Sequence, residues 1–139
     1  MDEARHELTR RWLRKAAHDL QSAQLLGDAP AGALDVAIYH CQQAGEKAIK
    51  SYLIWRDEPF EKTHEIAPLI RKAAQSEPRF SDFLQAGHFL SPFAWEFRYP
   101  SEIGPTEPTR AQFDEALQHA ESIWEFVLDL LPPETHPPR

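Results

Sequence analysis

The stretch QQAGEKAIKSY, residues 42–52, decides the fold, because it lies on a predicted helix with two contact faces. This second helix runs from about Ala33 to Trp55. Small and apolar residues recur along one side at three- and four-residue spacing: Leu34, Ala37, Ile38, Cys41, Ala44, Gly45, Ala48 and Tyr52. A second stripe, polar in its middle, follows the back: Val36, His40, Gln43, Lys47, Lys50 and Ile54. Two such faces are typical of a helix at the centre of a bundle or at a dimer interface.

The charged residues of this stretch have two interpretations. They can form a solvated face, on which Glu46 and Lys50 make an i,i+4 ion pair worth a few tenths of a kcal/mol. Alternatively, they line an inner site. The sequence of this helix alone leaves both interpretations open.

Asp19 on the first helix favours the inner site. It falls inside the apolar stripe of that helix, where an unpaired carboxylate costs several kcal/mol of desolvation. Unless the helix rotates enough for Asp19 to reach water, the carboxylate needs a cation. Lys47 and Arg98 are the candidates.

Apolar spacing predicts five helical segments in all and no convincing strand, so the fold class is all-α. A capping-box pattern at Thr109–Gln112 opens the last of them, which is the most strongly amphipathic. The three remaining segments are Asp2–Leu26, His64–Gln75 with Thr63 as its cap, and Arg79–Phe97 with a break near Leu90 caused by Pro92.

Length and composition predict one soluble domain. The chain has 139 residues, with 42% hydrophobic and 27% charged residues. We expect a helical bundle over residues 1–131 and a proline-rich, disordered tail over residues 132–139. No apolar run approaches ~20 residues, so we expect no membrane association and a cytoplasmic protein. A net charge of −7 disfavours broad, non-specific binding to nucleic acid, and the lone Cys41 excludes an internal disulfide.

Several of these motifs, in this order, resemble the HEPN family of small helical domains, named for nucleotide binding in higher eukaryotes and prokaryotes. The similarity is carried by W-L-x-x-A-x-x-D-L-x-x-A at 12–23, Y-H-C-Q-Q-A-x-E-K-A-I-K at 39–50, T-H-E-I at 63–66 and R-Y-P at 98–100. The resemblance implies a mostly up-and-down bundle of four to five helices, commonly a homodimer. It also implies a possible partner, a minimal nucleotidyltransferase, in a toxin–antitoxin-like pair.

The resemblance implies two rival functions, and one motif separates them. Many family members are metal-independent ribonucleases with an R-x4–6-H motif, whereas others bind nucleotides or serve as partners of the transferase. Here no histidine follows Arg98 at that spacing. Cleavage of RNA without a metal needs a base as well as a cation, so the sequence favours a non-catalytic or weakly catalytic domain. His64 and His88 are the histidines that could substitute in space.

The leading hypothesis is therefore a domain that binds a nucleotide or an RNA phosphate at a dimer cleft, without a cofactor. The binding residues would be Lys47, Lys50, Arg98 and Tyr99, supported by Asp19, Gln43 and His64. The sequence has no facing Glu-x-x-His pairs, so we expect no metal site. It also has no phosphate-binding loop motif. The alternatives are a metal-independent ribonuclease toxin and a structural partner subunit without a ligand. The aromatic run Phe89, Phe93, Trp95 and Phe97 adds to the expectation of a homodimer.

Overall fold

The fold is built from five α-helices, in a computed structural model that describes residues 3–100 and 104–138. No strand occurs within these residues, so the all-α prediction is confirmed. The predicted helix start at Asp2 lies outside the described residues. The helices are α1 (Glu3–Asp28), α2 (Leu34–Trp55), α3 (Ile66–Ala74), α4 (Leu84–Leu90) and α5 (Arg110–Leu130). Short 3₁₀ helices occupy Pro78–Phe83, Ser91–Ala94 and Pro133–Thr135.

Helix α2 is the centre of the bundle, as its two contact faces predict. It packs against α1, α3, α4 and α5, and every residue from 41 to 46 is buried. Its small residues permit this close packing: a Cβ atom on Gly45 would lie 3.1 Å from Leu90 Cδ1. Helix α1 runs antiparallel to α2. This direction is shown by Arg5, near the start of α1, which pairs with Asp57 just beyond the end of α2.

The predicted break near Leu90 is confirmed, and it sets the direction of the chain toward residue 98. Helix α4 ends at Leu90, and a 3₁₀ turn containing Pro92 follows as far as Ala94. The fourth segment was expected to stay helical to Phe97, which is wrong: Phe97 has a positive φ of 68°. The residues after it therefore follow an irregular turn instead of a helix end. Ser101 and Glu102 of the R-Y-P-S-E stretch lie outside the described residues.

The starts of α5 and α3 show which caps the sequence could predict. The capping box of α5 is confirmed, with Thr109 accepting from the Gln112 N–H at 3.1 Å. Thr63 does not cap α3, because the N-cap residue is Glu65. The first N–H group of α3 instead donates to Ser91 Oγ at 2.9 Å, across 25 residues of sequence.

The C-terminal segment packs on the bundle, which differs from the disordered tail that composition suggests. Thr135 is completely buried, and His136 Nε2 lies 2.9 Å from the Leu128 carbonyl oxygen. Arg10 donates to the Glu134 carbonyl at 2.7 Å. Arg139 lies outside the described residues. None of the helices in the described ranges combines the length and hydropathy needed to cross a membrane.

Candidate functional site

Asp19 has a half-buried cation beside it, as its position on α1 requires. Only 8% of the residue is exposed, and its Oδ2 atom lies 2.6 Å from Lys47 Nζ. Its other oxygen, Oδ1, lies 2.8 Å from His40 Nδ1. Arg98, the other candidate cation, makes no ion pair with Asp19. We refer to Asp19, His40 and Lys47 as the Asp19 triad.

His40 is the member of this triad that the sequence reasoning missed. It shares the polar stripe of α2 with Lys47, two helical turns away, so helical spacing alone places the two side chains on one face. Both then meet the same carboxylate because α1 crosses that face. In the sequence, the polar stripe was the feature that could have indicated His40. Only the packing of α1 on α2 shows which residues of the stripe reach Asp19.

A second group of polar residues, buried except for the exposed His64, surrounds Glu46, whose side chain is 4% exposed. Lys50 Nζ lies 2.9 Å from Glu46 Oε2, and His64 Nδ1 lies 3.0 Å from Oε1. Gln42 donates to Oε1 at 2.9 Å and to the His64 carbonyl at 3.0 Å, while Gln43 donates to Gln42 at 2.6 Å. This Glu46 cluster (Gln42, Gln43, Glu46, Lys50 and His64) is an inner network, so the solvated face is the wrong interpretation of this stretch.

Lys50 occupies a structural position within that cluster. Its ammonium group lies 5.8 Å from the centre of the Trp12 ring and 5.6 Å from that of Phe60. The side chain is 9% exposed. Because two aromatic rings and Glu46 already surround the charge, a ligand cannot reach it without displacing them. We therefore correct the expectation for Lys50: its burial assigns it to stability instead of to a ligand.

Arg98 is displayed on the surface and held by aromatic rings. Its guanidinium carbon lies 4.3 Å from the centre of the Tyr39 ring and 5.6 Å from that of Tyr99. One nitrogen donates to the Ala94 carbonyl at 3.3 Å. Within residues 3–100 and 104–138, no carboxylate forms an ion pair with it. Arg98 is therefore held in one orientation, and no ion pair with another described residue engages its charge, a condition that suits the binding of an anion.

Beside Arg98 lies a cavity of about 230 Å³, here called the Arg98 cavity. Its lining combines a cation, a histidine, a carboxylate and apolar side chains: Asp35, Val36, Tyr39, His40, Phe97 and Arg98. His40 thus links this cavity to the Asp19 triad. Asp35 adds one negative charge to the same lining as Arg98, so the cavity suits a ligand of low charge, such as one phosphate, better than a polyphosphate.

The structure brings together only some of the predicted site residues. Arg98 lines the cavity, and the ring of the 70% exposed Tyr99 lies 5.6 Å from its guanidinium carbon. Lys47 is connected to the cavity through Asp19 and His40. The other three, Gln43, Lys50 and His64, belong to the Glu46 cluster. No group of three or more potential metal ligands occurs within the described part of the chain.

Two larger cavities lie on either side of the loop after α2. They measure about 550 and 580 Å³ and share Pro59 and Phe60 in their walls. Neither is lined by Arg98, Lys47 or another predicted binding residue. The buried Cys41 is no candidate nucleophile either, because burial raises the pKa of its thiol to about 12.

Comparisons with known proteins agree with this architecture. The sequence profile described as the HEPN domain matches residues 9–130. The crystal structure of TT1696 from Thermus thermophilus is 31% identical, with a TM-score of 0.79 over 90% of this chain and 99% of that chain. The crystal structure of ST0689, described as an archaeal HEPN homologue, is 26% identical, with a TM-score of 0.69 over 88% and 96%. A search of curated proteins found no match.

Proposed function

This chain belongs to the HEPN domain family, and from that premise we propose that it binds a nucleotide or an RNA phosphate at the Arg98 cavity. The observation that carries the proposal is the orientation of Arg98 over Tyr39 at 4.3 Å, without a carboxylate partner among the described residues. A guanidinium group held in this way can donate two parallel hydrogen bonds to one phosphate. Because a single oriented charge supplies most of the attraction, binding weakens as salt is added.

Tyr99 supplies the second contact of the proposed site. Its ring is 70% exposed and lies 5.6 Å from the Arg98 guanidinium carbon. A base whose phosphate is held by Arg98 can stack on this ring, a contact worth about 1–3 kcal/mol per base and tolerant of sequence. The proposed ligand is thus a mononucleotide or a short single-stranded segment.

The test is a fluorescence titration of the protein with labelled single-stranded RNA. We expect Arg98→Ala to weaken binding by about 10- to 100-fold, the loss of a charge-assisted bidentate contact. Arg71→Ala is the matched control, since Arg71 is also exposed but lies on α3, away from the cavity. Equal affinities for the parent protein and Arg98→Ala would overturn the proposal.

A second candidate function, RNA cleavage without a metal, is favoured by one observation. The motif histidine is absent after Arg98, but His40 shares a cavity with Arg98 and is hydrogen-bonded to a carboxylate at 2.8 Å. A base oriented by a carboxylate beside a cation meets the chemical requirements of such a reaction. Incubation of the protein with RNA in the presence of a chelator distinguishes the two functions. Cleavage by the parent protein that is lost in both His40→Ala and Arg98→Ala indicates a ribonuclease, whereas RNA that is bound but stays intact indicates a binding domain.

The proposed assembly is a homodimer that can also pair with a minimal nucleotidyltransferase, as the family resemblance implies. Supporting the dimer, Val36 and Trp95 are large apolar residues that are 42% and 51% exposed. Of the aromatic run, Phe93 is buried in the protomer's own core and cannot contribute. Sedimentation at micromolar concentration tests the dimer, with a purely monomeric species against it. Co-purification with a nucleotidyltransferase, or its failure, tests the second pairing.

A further inference from the structure

We infer that His40 recognises the ribose 2′-hydroxyl, so that the Arg98 cavity selects RNA over DNA. The inference rests on the proposed function and adds sugar specificity to it. Phosphate binding through Arg98 alone would not distinguish the two nucleic acids. The distinction comes from the hydrogen-bonding state that Asp19 imposes on the histidine.

Asp19 determines which nitrogen of His40 carries the proton. A carboxylate only accepts hydrogen bonds, and Asp19 accepts one from Lys47 at 2.6 Å. Its second oxygen lies 2.8 Å from His40 Nδ1, so that nitrogen must be the donor. In the neutral imidazole the other nitrogen, Nε2, then carries a lone pair and can only accept.

His40 is one of the residues that line the Arg98 cavity, which places its Nε2 atom within reach of a ligand there. Nε2 has no hydrogen-bond partner among the described residues, and the His40 side chain is 26% exposed. The His40 ring centre lies 5.5 Å from that of Tyr39, the ring on which Arg98 rests. The acceptor and the guanidinium group therefore border the same small space.

The ligand group that fits Nε2 is a hydroxyl next to a phosphate. A phosphate oxygen is itself an acceptor and would repel the lone pair, so the phosphate belongs on Arg98. In RNA the 2′-hydroxyl lies beside the 3′-phosphate, and DNA lacks this donor. A site built to receive a hydroxyl proton leaves its own acceptor unpaired when the hydroxyl is missing, which strengthens discrimination.

Three ligands of one base sequence separate the sugar hydroxyl from other differences. They are a short single-stranded RNA, the corresponding DNA and the 2′-O-methyl RNA, which lacks the hydroxyl proton but stays RNA-like. We expect the parent protein to bind RNA about tenfold more tightly than either of the others.

Two variants remove the acceptor in different ways. In Asp19→Asn the amide oxygen faces Lys47, so the amide nitrogen donates to His40 Nδ1 and the proton moves to Nε2. His40→Phe removes the acceptor and keeps a ring. Both are expected to lose the preference for RNA and to keep Arg98-dependent binding. Asp35→Asn is the control, because Asp35 is a carboxylate of the same cavity and could itself accept from a sugar.

The outcomes separate the two proposals. A tenfold preference that survives Asp35→Asn and disappears in the other two variants supports the inference. Equal binding of all three ligands by the parent protein, or a preference lost only in Asp35→Asn, overturns it while leaving phosphate binding intact. No binding of any ligand overturns the proposed function and the inference with it.

Discussion

The Asp19→Ala substitution is expected to lower the free energy of unfolding by about 2–3 kcal/mol. Removing one partner of a fully buried ion pair costs about 3–5 kcal/mol, because the other charge stays buried and unpaired. Here the partners are less deeply buried: the side chains of Lys47 and His40 remain 24% and 26% exposed. Water can therefore reach both freed groups, and we reduce the expected loss accordingly.

Thermal unfolding followed by circular dichroism measures this loss. For a domain of this length, 1 kcal/mol corresponds to about 4 °C, so the melting temperature should fall by about 8–12 °C. Asp129→Ala is the control, since Asp129 is an exposed aspartate on α5, and surface changes of this kind stay within about 0.5 kcal/mol. If Asp19→Ala melts like the parent protein, the triad contributes nothing to the fold and the reasoning from burial fails.

Three further substitutions or reactions test other parts of the structure. Lys50→Ala should lower the free energy of unfolding by about 3 kcal/mol, because it leaves the buried Glu46 without its ammonium partner, and should leave RNA affinity unchanged; reduced affinity with normal stability would contradict the burial of Lys50. Cys41 should resist alkylation in the folded protein, since burial raises its thiol pKa to about 12. The unfolded thiol ionises first, so stability should also fall as the pH rises above the ordinary thiol pKa of 9.0, and alkylation without unfolding would be the opposing result. Gly27→Ala should cost about 1–3 kcal/mol in a urea titration, because its Cβ would lie 2.4 Å from the ring of the buried Phe113; unchanged stability would show that the ring can move aside.

Local patterns predicted the helices well. The capping box at Thr109 lies within four residues of sequence, and the break caused by Pro92 follows from the geometry of the proline itself. The two stripes of α2 likewise predicted a helix at the centre of a bundle or at a dimer interface, and α2 does pack against the other four helices. By contrast, the start of α3 depends on Ser91, 25 residues away, and no local signal identifies that hydroxyl as its cap.

The candidate site could be predicted only in part, for the same reason. The sequence predicted a cation beside Asp19 because this residue interrupts an apolar stripe, and Lys47 on the next helix was one of the two candidates. Whether His40 also reaches Asp19 depends on the pairing of α1 with α2, which is a tertiary property. For Lys50 the sequence could not predict burial. Its position on α2 is compatible with an exposed or a buried side chain, and the ring of Phe60, which comes from a loop, helps to bury it.

The most direct measurement of the proposed phosphate site is a titration of ¹⁵N-labelled protein with a short single-stranded RNA, followed by amide chemical shifts. We predict that the largest changes fall in and next to the lining of the Arg98 cavity, in residues 35–40 at the start of α2 and 97–99 after the 3₁₀ turn. Largest changes at 61–72 instead, beside the larger cavity next to Phe60, would contradict it.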